Sequence, residues 1–159
     1  MTPWLDEQHI EIAAAPEVIY RYLADFNRHP GWSLSVTRVE PPAGGKFIVG
    51  AEFAMSGAAP GETWACRVMA LQAPMRIAWE ARGKHTLEQW EFLIVPSASA
   101  TTLALRLALR PDSRLRWVFR DRRGARRISA ENRACLSRIK AILEAGDGRE
   151  ADPGAQPTL

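Results

Sequence analysis

The sequence predicts an α+β fold in which a curved antiparallel β-sheet wraps around one long C-terminal α-helix. Three observations predict it. Apolar residues recur at every second position through most of residues 34–110. Short Gly, Pro or Ser interruptions separate the alternating segments, as hairpin connections require. The stretch 113–145 then changes to helical spacing.

Taken in order, Gln8 to Ala13 alternates, with Ile10 and Ile12 opposite His9 and Glu11, which suits a half-buried strand. Pro16 stands at a first helical position, where its missing N–H does no harm, and Val18, Ile19, Tyr22 and Leu23 share one helical face. Asn27–Trp32, with Pro30-Gly31 inside it, reads as a second short helix or turn. Leu34–Glu40 is a strand ended by Pro41-Pro42 and turned by Gly44-Gly45. Lys46–Ser56 puts Phe47, Val49, Ala51, Phe53 and Met55 on one face, and Glu62–Gln72 does the same for Trp64, Cys66, Val68 and Ala70. Met75–Arg82 sets Ile77, Trp79 and Ala81 against Arg76, Glu80 and Arg82. Thr86–Val95 aligns Trp90, Phe92 and Ile94. Thr101–Arg110 alternates most regularly, with Leu103, Leu105, Leu107 and Leu109 opposite Arg106 and Arg110. The closing helix, Ser113 to Ala145, carries Leu115, Val118, Ala125, Ile128, Cys135, Leu136, Ile139, Ile142 and Leu143 as one stripe, and Gly124 is a candidate bend. A sheet curling over that stripe buries both apolar faces.

With 159 residues, 47% hydrophobic and 25% charged, the chain suits one globular domain over 1–145 and a loose, apolar-poor tail over 146–159. The net charge of +3 is too modest to argue for a specific nucleic-acid partner. Cys66 and Cys135 lie far apart without a CxxC motif, so both read as reduced thiols. Met1–Glu7 lacks the basic and apolar segments of a signal peptide, and no apolar run is long enough to span a bilayer, so the cytoplasm is expected.

Several local stretches go beyond pattern. They are Ala15-Pro16-Glu17-Val18-Ile19-Tyr20, Asn27-Arg28-His29-Pro30-Gly31-Trp32, Val36 to Val39, and the glycines 44, 45 and 50. After them come Ala73-Pro74-Met75-Arg76-Ile77-Ala78-Trp79, Trp90, Thr101-Thr102-Leu103, and the ending Leu136 to Glu144. In this order they resemble the helix-grip (START-like, SRPBCC) superfamily, particularly its polyketide cyclase/dehydratase-like branch, over roughly Gln8 to Ala145. Two departures stand out: Ser99-Ala100 replaces a Gly often found before the threonine, and Ala58-Ala59-Pro60-Gly61 makes a stiff hairpin tip. The resemblance implies an internal cavity between sheet and helix for a small hydrophobic ligand. It transfers no catalytic residues, because the family shares a cavity and not a motif.

The expected cavity wall is Phe53, Met55, Trp64, Trp79, Trp90, Phe92, Leu105 and Leu107, with Trp117 or Phe119 covering one end from the helix. Ordinary core packing is the competing account of each. Three tryptophans on one face favour a flat or ring-containing ligand. Glu88 shares the parity of Trp90 and Phe92 and should therefore point inward, where apolar walls raise a carboxyl pKa and suit it to acid–base work. The competing account makes it a solvated strand end, or the partner of Arg122 or Arg126. Glu62 shares the parity of Trp64. His9, His29 and His85 are scattered, so no metal is expected, and no phosphate loop argues for a cofactor.

Arginines 114, 116, 120, 122, 123, 126 and 127 form the densest charge run. A solvated helix face is the favoured reading, with peripheral contact to an anionic membrane the lesser one. Three functions follow: a binding protein for a lipid, isoprenoid or aromatic polyketide-like molecule; a cyclase or dehydratase using Glu88; or a regulatory module docking an anionic partner through the Arg-rich helix. Oligomeric state is left open, since a sheet edge or that helix could pair two subunits as a homodimer.

Overall fold

A computed structural model of the chain describes residues 3–112 and 122–146. The elements in chain order are β1 (Trp4–Ile12), α1 (Pro16–Ala24), a single 3-10 turn (Phe26–Arg28), α2 (His29–Trp32), β2 (Val36–Glu40), β3 (Glu52–Gly57), β4 (Thr63–Gln72), β5 (Arg76–Arg82), β6 (Thr86–Pro96), β7 (Thr101–Pro111) and α3 (Arg122–Glu144). The strands form one curved seven-stranded sheet in the order β1-β7-β6-β5-β4-β3-β2, every neighbouring pair antiparallel. The α+β expectation holds in full. The first strand closes against the last, pairing Trp4 with Leu109 and Ile12 with Thr101.

Register turns the alternation into rows across the concave face. One row runs Val68, Trp79, Trp90, Leu107 and Asp6; the next runs Cys66, Ala81, Glu88 and Leu109. Helix α3 lays Cys135, Leu136, Ile139 and Leu143 against this face, all buried. Polar ties fix its C-terminal half: Lys140 Nζ donates to the Glu11 carbonyl (2.8 Å), and Glu144 accepts from the Ala13 N–H (3.0 Å). Nearer its start, the Asp6 carboxylate on β1 accepts from Ser129 Oγ (2.6 Å), Asn132 Nδ2 (2.8 Å) and Gln8 Nε2 (3.0 Å). Among the described residues, no helix is long and apolar enough to cross a membrane.

Three boundaries differ from the sequence reading. β1 begins at Trp4, four residues earlier than its apolar alternation, because Asp6 takes an inward position and finds partners on α3. The strand expected from Lys46 begins only at Glu52. Gly50 adopts φ +88°, a left-handed turn that leaves Ile48 and Val49 about 60% exposed, while Phe47 and Ala51 pack inward. Gly124 does not divide α3, whose helical run is continuous from Arg122 to Glu144. Trp117, Phe119, arginines 114, 116 and 120, and the tail from 147 lie outside the described residues.

Candidate functional site

A cavity of about 240 Å³ remains between the concave face and α3. Its hollowness has a local cause. On one side the space is plugged by rings: Phe26 packs on Phe53 (centroids 4.9 Å) and on Trp79 (5.5 Å), and Phe92 packs on Trp32 (5.4 Å) and Trp79 (5.5 Å). Beyond that plug the rows carry smaller side chains, Ala81, Leu107 and Leu109, facing Ile128, Asn132 and Cys135 of α3, and the gap between them stays open. Trp79 and Trp90, cross-strand neighbours, stack their indoles in parallel, with centroids 5.9 Å apart and 6° between planes, and both line the cavity.

The expected wall residues divide accordingly. Met55, Trp64, Trp79, Trp90, Leu105 and Leu107 line the cavity, as does Glu88. Phe53 and Phe92 face the same side of the sheet but sit in the ring plug, off the open space. Trp117 is outside the described residues. The wall also takes in Trp32, His29 and the Ser33–Val36 connection, which strand alternation does not place there. Their signal is nevertheless present: Phe26, His29 and Trp32 recur at threes, the spacing of one helical face.

Glu88 is the wall's most distinctive group. Parity brings it inward, and small Ala81 opposite it on β5 leaves it room. Its carboxyl accepts hydrogen bonds from Trp90 Nε1 (2.8 Å) and Thr86 Oγ1 (3.2 Å), with the Trp64 indole N–H a further donor. Burial pushes its pKa above the ordinary carboxyl value, and these donors hold it back. Neither the solvated strand end nor the pairing with Arg122 or Arg126 describes it; its partners are neutral donors. Among the described residues, no lysine or arginine lines the cavity. The same charge helps burial lift the neighbouring Cys66 thiol to about 12, so that thiol is inert.

His29 is packed between Phe26 (5.4 Å, 8° between planes), Trp32 (4.2 Å) and the edge of Trp79 (5.0 Å). Burial pushes its pKa down to about 3, so it is a neutral imidazole. Its Nδ1 finds no hydrogen-bond partner among the described residues. The two other carboxylates of the wall are tied to local structure. Glu62 folds over Gly57 and accepts from the Ala59 N–H (3.2 Å) at the hairpin tip; a Cβ at position 57 would come within 2.5 Å of it. Glu131 pairs with Arg127 one helical turn away (3.2 Å).

The opposite face of the sheet carries a broader depression, about 620 Å³, which is the more open of the two. Its charges satisfy one another in a ladder across four strands, Arg76 to Glu91 to Arg106 to Glu7. The concave cavity, walled by sheet and helix together and the less open of the two, is the better candidate.

Comparison with known proteins agrees with this geometry. The family model described as polyketide cyclase / dehydrase and lipid transport matches residues 7–144. The chain belongs to that family. The match to the polyketide cyclase/dehydrase and lipid transport family spans all the described wall residues, so the cavity is part of the family domain itself. Among solved structures, the fold is similar to the di-domain ARO/CYC protein StfQ of the steffimycin biosynthetic pathway. That likeness has TM-score 0.72 and 18% identity, covering 92% of this chain and 52% of that one. A protein from Thermus thermophilus matches with TM-score 0.72 and 15% identity over 90% of this chain and 99% of that one. A START superfamily protein from Mycobacterium smegmatis matches with TM-score 0.61 and 17% identity over 89% and 94%. At these identities the structural likeness speaks for the fold alone. No curated protein matches the chain.

Proposed function

We propose that this protein binds a small, largely apolar molecule in the cavity between the sheet and α3. The observation that carries the reading is the 240 Å³ of space between sheet and helix that the chain's own tryptophans and leucines leave unfilled. Pockets for drug-sized ligands usually span roughly 300–1,000 Å³, so this one suits a compact ring system better than an extended acyl chain. Of the ligands expected from the sequence, an aromatic polyketide-like ring compound is therefore favoured over a lipid or isoprenoid tail. The parallel Trp79 and Trp90 indoles support the same preference. Native mass spectrometry of freshly purified protein tests this: a bound apolar compound is expected, and it should be absent from Leu107→Trp protein. Wild-type protein that carries no such compound and takes up no added ring compound would sink the reading.

Glu88 favours a second reading, a cyclase or dehydratase. A carboxyl with a raised pKa, held by Thr86 and Trp90 on the cavity wall, is suited to moving a proton to or from an enclosed polyketone. The cavity would supply orientation. Under this reading Glu88→Gln loses turnover of a polyketone thioester, and unchanged turnover removes Glu88 from the chemistry.

A further inference from the structure

We propose that the cavity selects a molecule whose flat apolar body carries a protonated amine, the amine meeting Glu88 and the body lying against the tryptophan wall. This deepens the binding reading and rests on it.

The argument begins with what surrounds Glu88. Of its partners here, Trp90 Nε1 and the Trp64 indole N–H can only donate, and the Thr86 hydroxyl lies within hydrogen-bond distance of the other oxygen. These donors favour the carboxylate form against the effect of burial. Glu88 is part-buried on the cavity wall, where a carboxylate gains from a cationic partner because it is only partly hydrated. Among the described residues, none of the wall's side chains supplies one, and His29 is held neutral. Each carboxylate oxygen has two acceptor sites, and the hydrogen bonds from Trp90 and Thr86 fall on different oxygens, so acceptor capacity remains. A protonated amine on the occupant would take up that remaining capacity and supply the positive charge that the described wall lacks.

The rest of the wall points the same way. Trp32, Trp64, Trp79 and Trp90 all line the space, and indole attracts cations more strongly than any other side-chain ring. The remaining ionisable wall groups, Glu62 and Glu131, are acidic as well, although each is partly occupied by its own local contact. An anionic occupant would meet carboxylates and ring faces of the wrong sign. This bias is specific to the cavity, since the chain as a whole is net positive, at +3.

Three probes of matched shape decide it by isothermal titration calorimetry at neutral pH: naphthylethylammonium, naphthylethanol and naphthylpropanoate. The ammonium is expected to bind about tenfold more tightly than the alcohol, and the propanoate more weakly than either. Glu88→Gln should pull the ammonium-to-alcohol ratio toward one. If the alcohol or the propanoate equals or exceeds the ammonium, and Leu107→Trp abolishes that binding, the charge selection is wrong while the cavity reading stands. If no probe binds, the cavity reading fails and takes this inference with it. The wild-type series decides the matter even if Glu88→Gln folds poorly.

Discussion

His29 gives the sharpest quantitative test of the interior. The ring is buried and neutral, with its pKa pushed from 6.5 down to about 3. In the unfolded chain the imidazole takes up a proton as pH falls through the ordinary value; in the folded chain it does not until about pH 3. Between those limits the unfolded state binds one more proton, so folding stability falls as pH is lowered, by roughly 1.4 kcal/mol per pH unit. Going from neutrality to about pH 5 should therefore cost about 2 kcal/mol, and the full window about 5 kcal/mol. Glu88 acts in the opposite sense: its pKa is raised on folding, so the native state takes up that proton first and gains stability as pH falls toward the ordinary carboxyl range. Comparing wild type with His29→Phe cancels that contribution. Phenylalanine keeps the ring stack with Phe26 and removes both the proton and the unpartnered Nδ1. The assay is urea unfolding at a series of pH values. With an m-value of about 2 kcal/mol/M, the wild-type midpoint should drop by about 1 M by pH 5 relative to the variant. Parallel pH profiles for the two proteins would refute the account of His29 as a buried neutral ring.

Two further outcomes follow from the geometry. Leu107 is buried on the cavity wall, so Leu107→Trp should insert its ring into existing space. The expected cost is under about 2 kcal/mol of stability, with probe affinity falling more than tenfold; a well-folded variant with full affinity would place the ligand elsewhere. Asp6→Ala strands the donors of Ser129 and Asn132, and should cost about 3 kcal/mol in urea unfolding, whereas Ser129→Ala should cost about 1 kcal/mol; equal losses would deny Asp6 its anchoring role.

The fold was legible where one rule governed a whole segment. β6 and β7 alternate without an interrupting glycine, and their inward residues are those the alternation named. Reading failed where a distant contact or a single backbone angle prevailed. Asp6 looks like a break in a strand pattern, and only α3, folded back from 123 and 126 residues away, makes an inward carboxylate tolerable. Lys46–Ala51 alternates as a strand does, but the left-handed Gly50 ends the pleat before it reaches Phe47. The site was half legible for a related reason. Parity tells which face Glu88, Phe53 and Phe92 occupy, and it was right for all three. It carries no information about depth, so it could not separate the wall residues Trp79 and Trp90 from the plug residues Phe53 and Phe92. Depth is decided by what arrives from other elements, here Phe26, His29 and Trp32.

Asn132 belongs to two assemblies at once. Its side chain faces the hollow, and its amide also latches α3 to the Asp6 carboxylate on the edge strand β1. Recognition and closure therefore share a residue. Any reshaping of the pocket from the helix side at this position also loosens the lid. The strand side carries no such double duty at Ala81, Leu105 or Leu107, so altered selectivity, by evolution or by engineering, has its free variables there.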